Sequence, residues 1–348
     1  MDKFFPDSAS QRVCGKIKSM NKIALAIHGG AGTIFRSQMT QELEREYRGA
    51  LESALNKGWT ILNGGGSSLD AVETAVASLE YFPLFNAGRG SVFTHEGEQE
   101  MDAAIMDGHR LKAGAVAFVK NIKNPVKLAR LVMERTEHVL LAGDGANQFA
   151  DQMEVETAPD EYFFTEHRWL QLQEAMAAGR IDLDHADYST AETPRRREES
   201  EPGAAATGFL STRPSGTVGA VACDINGFLA AATSTGGMTN KKFGRVGDTP
   251  IIGSGTYADD VCAVSCTGHG EYFMLGVTAY DVAARMKYKG LGLDEAASET
   301  IDHLTKINGE GGLIAVDSLG NVTLPFNSQG MYRGFVTSES EIQVEIYR

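Results

Sequence analysis

The chain has 348 residues, 32 of them basic and 46 acidic, for a net charge of −14. That surplus of acid argues against broad binding to nucleic acid or anionic membranes, which needs a positive field. Hydrophobic and charged shares of 42% and 22% are those of a globular protein with a sizeable core, and no apolar run reaches bilayer-spanning length.

Residues 1–20 lack a basic segment followed by an unbroken apolar one, so a secretory signal is not expected and the stretch reads as an extension. Cys14, Cys223, Cys262 and Cys266 show no CxxC spacing, and three lie in apolar stretches. Buried free thiols in a reducing, cytoplasmic setting are expected.

From Lys22, "KIALAIHGGAG" reads as a buried strand ending in a glycine turn. "TQELEREYRGALESALNKGWTILNG" has helical spacing, and "SSLDAVETAVASLE" predicts a second helix with Ser68 as its N-cap. "SVFTHEGEQEMDAAIMDGHRLKAGAVAFV" predicts strands joined by tight turns, the clearest at Asp107-Gly108. "NPVKLARLVMERTE" predicts a helix with Pro125 in first position, and "HVLLAG" a further strand.

From about Asp182 to Gly216 the sequence is rich in Pro, Gly, Ser, Thr and charge, with no apolar period. A loop of this length is functional or a linker. Its Arg195–Arg197 run is flanked by glutamates and reads as solvated linker rather than a nucleic-acid patch. After Gly216 come strands, a helix around "GEYFMLGVTAYDVAARMKYKG", another around "LDEAASETIDHLTK", and the strand pair "GGLIAVDSLGNVTLPFN". Short turns between strands, without strict βαβ alternation, predict an α+β fold of two sheets flanked by helices.

The segments "TVGAVACD" and "FLAAATST" flank the turn signal Asn226-Gly227. In an antiparallel pair, facing residue numbers share a constant sum, here about 452, which returns Thr235 to within a residue of Thr217. Gly216 offers little steric hindrance, so the Thr217 hydroxyl can attack its carbonyl, and hydrolysis of the resulting ester frees an N-terminal threonine. Such a residue carries nucleophile and base together, because an α-amine has a pKa of about 7.7–8.0. Taken alone, however, a threonine opening a strand after a loop is ordinary.

The stretches "GTVGAVACDINGFLAAATSTGGMTNKKFGRVGDTPIIGSGTYADD", "VSCTGHGE", "AIHGGAG" and "FPLFNAGRGSVF" resemble the plant-type asparaginase and isoaspartyl peptidase family of N-terminal nucleophile hydrolases, from Asn21 to Arg348. The resemblance implies a four-layer αββα sandwich as one domain, residues 21–348. It also implies autoproteolysis between Gly216 and Thr217 into fragments 1–216 and 217–348, and a homodimer of such αβ heterodimers. Thr217 matches the nucleophile, Thr235 the threonine hydrogen-bonded to it, and Thr267 and Gly268 the oxyanion hole. Arg245 and Asp248 match the clamp on a substrate's α-carboxylate and α-ammonium, and the carbonyl of Gly270 also meets the ammonium. Asn86 matches a positioning residue near the nucleophile.

No catalytic cofactor is implied, but the stretch from Leu79 to Arg89 matches a loop that wraps a structural sodium ion through backbone carbonyls. Tyr81 and Phe82 depart from that loop's polar pattern. The implied substrates are β-aspartyl dipeptides and L-asparagine. Alternatives are a glycosylasparaginase-type amidase, a threonine aspartase, or an uncleaved amino-acid-binding module. His269 could suggest a serine-type triad, but a threonine that supplies its own amine needs no imidazole, so a place on the rim is expected.

Overall fold

The computed structural model describes residues 22–181 and 216–348. The expected N-terminal extension and linker, with Cys14 and Arg195–Arg197, lie outside the described residues.

Four layers stack in the order helix, sheet, sheet, helix. Among the described residues the large sheet has eight strands. At its centre β1 (Ala24–Gly32) pairs antiparallel with β5 (Val218–Cys223), which pairs with β6 (Leu229–Thr235). β2 (Met101–Asp107), β3 (Lys112–Val119) and β4 (Leu140–Ala142) extend one side, and β11 (Gly330–Thr337) and β12 (Ser340–Tyr347) the other. The small sheet runs β10 (Val322–Thr323), β9 (Gly311–Asp317), β8 (Cys262–Gly268), β7 (Thr256–Ala258).

On the outer face of the large sheet, α1 (Gln41–Asn63) packs on β1, β11 and β12, α2 (Ser68–Glu80) on β5 and β6, and α3 (Pro125–Arg135) on β2 and β3. On the outer face of the small sheet lie α7 (Gly270–Gly276), α8 (Thr278–Ala284) and α9 (Leu293–Lys306). Between β4 and the linker stand α4 (Gly143–Gln152), α5 (Asp160–Phe163) and α6 (Glu166–Ala177), for which the sequence pattern supplied no expectation.

Two expectations need correction. The cap of α2 is Ser67, whose Oγ accepts from Asp70 N at 3.1 Å, and Ser68 is already the first helical residue. The single helix expected from Gly270 breaks at Val277, whose φ of 47° is left-handed, so α7 and α8 replace it, α8 running on into a π-helical turn over Arg285–Lys289. Cys223, Cys262 and Cys266 are buried free thiols, as expected.

Strand alternation decides what lies between the sheets. Ala24 and Ala26 of β1, Val221 and Cys223 of β5, Ala231 of β6, Ala258 of β7, Ala263 of β8, and Ile314 and Val316 of β9 form the interlayer core. Their small side chains let two sheets pack closely. One end of the same layer turns polar: keeping parity, His28, Gly219, Thr233, Thr235, Thr256, Ser265 and Thr267 fall on the facing sides. That polar end is where the functional site forms.

Candidate active site

The pairing of β5 with β6 runs unbroken from Val218 opposite Ser234 to Cys223 opposite Leu229. Its register carries Thr217 to a position beside Thr235, as the hairpin arithmetic requires, and Thr217 Oγ donates to Thr235 Oγ at 3.0 Å. Thr235 Oγ also accepts from Gly237 N at 3.0 Å, so the turn after β6 fixes that hydroxyl.

Around this pair lies a small pocket, open to solvent and lined by Asn86, Gly216, Thr217, Thr235, Arg245, Asp248, Thr267 and Gly268 among others. Gly216 is buried, and its N–H donates to Gly29 O at 3.4 Å. The glycine turn after β1 comes so close that a side chain at Gly30 would fall 2.5 Å from Gly216 Cα. Thr267 Oγ accepts from Ala31 N at 3.3 Å, and Gly268 follows with a left-handed φ of 148°. Of the expected site residues only Gly270 is absent from the pocket wall, yet a Cβ there would lie 2.9 Å from both Arg245 Nη2 and Asp248 Oδ1. Glycine is what lets those two charged groups converge.

Arg245 makes its ion pair with Glu271 rather than Asp248. Its Nε and Nη2 donate to the two carboxylate oxygens at 2.9 Å each. Glu271 is half-buried, which alone would raise its pKa, but Arg245 outweighs this and holds the carboxylate below its ordinary value. Among the described residues the buried Oδ2 of Asp248 has no hydrogen-bond partner, and burial pushes this carboxyl up to about 7 despite the nearby Arg245. His269 stands partly exposed outside the pocket wall, its Nε2 3.3 Å from Glu271.

Asn86 braces the turn beyond Thr235. Its amide donates to Gly237 O at 2.7 Å, its side-chain oxygen accepts from Val92 N at 3.0 Å, and its carbonyl accepts from Gly236 N at 3.1 Å. Lys241, buried behind the pocket, donates to Glu100 O at 2.9 Å.

Sequence reasoning assigned no role to His28, Ser265, Thr233, Glu271 or Lys241. His28 is fully buried beneath Thr217: Nδ1 lies 3.0 Å from Thr217 O and Nε2 2.9 Å from Ser265 Oγ. Burial lowers its pKa to about 3, although the hydrogen bond to Thr217 works the other way, so the ring is neutral. A histidine at an inward position of an apolar strand was the available signal. Among the described residues no group of three or more His, Cys, Asp or Glu side chains could hold a metal ion, and no helix is long and apolar enough to cross a membrane.

A helix-flanked pair of sheets, with a threonine at a strand start after a buried glycine and donors gathered around a polar pocket, defines the N-terminal nucleophile hydrolase class. Residues 21–346 match the family model described as asparaginase, and the chain belongs to that family. It is 49% identical to the isoaspartyl peptidase of Salmonella typhimurium, covering 94% of this chain and 100% of the relative. It is 47% identical to the isoaspartyl peptidase of Escherichia coli, covering 94% and 97% of the two chains. The isoaspartyl peptidase/L-asparaginase of Xenopus laevis is 42% identical, with 94% and 96% covered.

Proposed function

We propose that this chain cuts itself between Gly216 and Thr217 and then hydrolyses β-aspartyl dipeptides and L-asparagine. The observation that carries the reading is the hydroxyl pair Thr217–Thr235, 3.0 Å apart, in one pocket with Arg245, Asp248, Thr267 and Gly268.

In the cleavage step Thr217 Oγ adds to the Gly216 carbonyl carbon, its proton moving by way of Thr235 to the departing Thr217 nitrogen. The C–N bond breaks and leaves an ester between Gly216 and Thr217 Oγ, with a free α-amine. Water hydrolyses the ester and releases the Gly216 carboxylate.

In turnover the α-amine takes the Thr217 hydroxyl proton as Oγ attacks the substrate's side-chain carbonyl carbon. Thr267 and Gly268 supply donors for the oxyanion, where losing one donor typically costs about 2.7–4 kcal/mol in the barrier. The leaving amine takes the proton back and departs, leaving a β-aspartyl ester that water cleaves to aspartate. Arg245 takes the α-carboxylate through the guanidinium edge that Glu271 leaves free, and Asp248 with the Gly270 carbonyl takes the α-ammonium. With both α-groups gripped, only the side-chain amide faces Thr217, hence β-linked substrates.

The resident ion in this reading is sodium, held by main-chain oxygens of the Leu79–Arg89 loop. In support, side chains at Gly88 or Gly90 would fall within 2.5 Å of Glu80 O or 2.1 Å of Phe85 O, so carbonyls crowd that turn. The ion would brace the loop that carries Asn86. The assembly is a cytoplasmic homodimer of αβ heterodimers. Apolar surface such as Phe243, 99% exposed, and Leu275, 78% exposed, is of the kind an assembly covers.

The test is turnover of β-Asp-Leu, L-asparagine and N-acetylglucosaminyl-asparagine side by side. Release of leucine and ammonia from the first two supports the reading. Preference for the glycosylated substrate, or aspartate binding without any turnover, contradicts it.

A further inference from the structure

We propose that His28, Ser265, Thr233 and Thr256 form a one-way hydrogen-bond chain that holds the carbonyl of Thr217, and so keeps the nucleophile aligned once its bond to Gly216 is gone. The inference rests on the function proposed above and adds positioning residues to it.

The direction of the chain follows from donor counting. A carbonyl oxygen only accepts, so His28 Nδ1, 3.0 Å from Thr217 O, carries the ring proton. The ring is neutral, so Nε2 has a lone pair and must accept from Ser265 Oγ at 2.9 Å. With its single proton committed, Ser265 accepts from Thr233 Oγ at 2.7 Å. Thr233 in turn accepts from Thr256 Oγ at 2.7 Å. Thr233 and Thr256 each have a second acceptor in reach, the carbonyls of Gly255 at 3.4 Å and Thr249 at 3.1 Å, and the shorter 2.7 Å hydroxyl contacts take their single protons. Four buried side chains from both sheets thus point one line of donors at the nucleophile's own main chain.

Gly219 is the second observation. It sits opposite His28 in the strand pairing, and a Cβ there would lie 2.0 Å from Ser265 Oγ and 2.3 Å from His28 Nε2. The link between histidine and serine passes across the bare Cα of this glycine, so the strand has kept open the space the chain needs. The purpose follows from cleavage. Before it, Thr217 is held by chain on both sides; afterwards only its carbonyl side is tethered. A free N-terminus needs a fixed carbonyl if its hydroxyl is to stay opposite Thr235.

Two measurements on the mature enzyme test this. The ¹⁵N resonances of the His28 ring, from about pH 5 to 8, should show Nδ1 protonated and Nε2 bare throughout; a protonated Nε2 overturns the chain. The variants His28→Leu, His28→Asn and Ser265→Ala are then compared with the wild type on β-Asp-Leu, after purification of cleaved protein. His28→Leu should lower kcat by about 10²-fold, with KM changed by no more than about twofold, because misplacement of a reacting group costs rate rather than binding. His28→Asn restores a donor near Nδ1 and should recover about tenfold of that loss. Ser265→Ala touches no substrate, and should lower kcat by about 3- to 10-fold with KM unchanged. If His28→Leu fails to fold or cleave, Ser265→Ala decides. Unchanged kcat in that variant, or kcat and KM moving together, overturns the proposal. Failure of the wild type itself to turn over β-Asp-Leu counts against the function proposed above, and the ring resonances still judge the chain.

Discussion

Asp248 makes substrate affinity depend on pH in a way that can be worked out in advance. Burial raises its pKa to about 7, so in the free enzyme the carboxyl is protonated below that pH and ionised above it. A substrate ammonium needs the ionised form. Affinity should therefore be full above pH 7 and fall as pH drops, because binding must then expel a proton. At about pH 5 only about 1% of the carboxyl is ionised, which weakens binding about 100-fold. The clean assay is inhibition by the product L-aspartate, whose own charges hardly change between about pH 5 and 8. Its inhibition constant should rise about tenfold per pH unit below 7 in the wild type. In Asp248→Asn it should be weak and flat. A wild-type constant that stays level down to about pH 5 would refute the assignment of Asp248 as the ammonium's partner.

Other perturbations separate the remaining roles. Thr235→Val keeps volume but removes the acceptor of the Thr217 and Gly237 hydrogen bonds; self-cleavage, followed on a denaturing gel, and kcat should both slow by about 10²-fold. Glu271→Gln weakens the partner of Arg245, and since that pair is half-exposed the loss should be modest, a KM increase of about 3- to 10-fold with kcat nearly unchanged. Replacing sodium by N-methylglucamine should lower the melting temperature by about 2–4 °C or more, and sodium should restore it; an unchanged melting temperature argues against an ion in the Leu79–Arg89 loop.

Legibility in the sequence followed the range of the interaction. The β5–β6 register could be read because a short turn centred on Asn226 sets it, Asp224 N donating to Phe228 O at 3.0 Å and Gly227 N to Asp224 O at 2.8 Å, and the ladder beyond it runs without a shift. Helices α1, α3 and α9 stand close to their expected spans because apolar period and end signals agree there. The break at Val277 could not be read, since a β-branched residue rarely adopts a left-handed φ. Ser67 and Ser68 are equal as caps on paper, and only geometry chooses. The gathering of Arg245, Asp248 and Thr267 was legible through resemblance rather than spacing. The histidine link was not legible at all, since His28 and Ser265 stand 237 residues apart and meet only when the two sheets stack.

Everything proposed for the site depends on Thr217 gaining a free amine. Intact-mass measurement of the purified protein, beside Thr217→Ala, tests this most directly. The wild type should give two species, one ending at Gly216 and one beginning at Thr217, while the variant remains a single inactive chain. Active wild-type protein in which Gly216 and Thr217 are still joined would contradict the account.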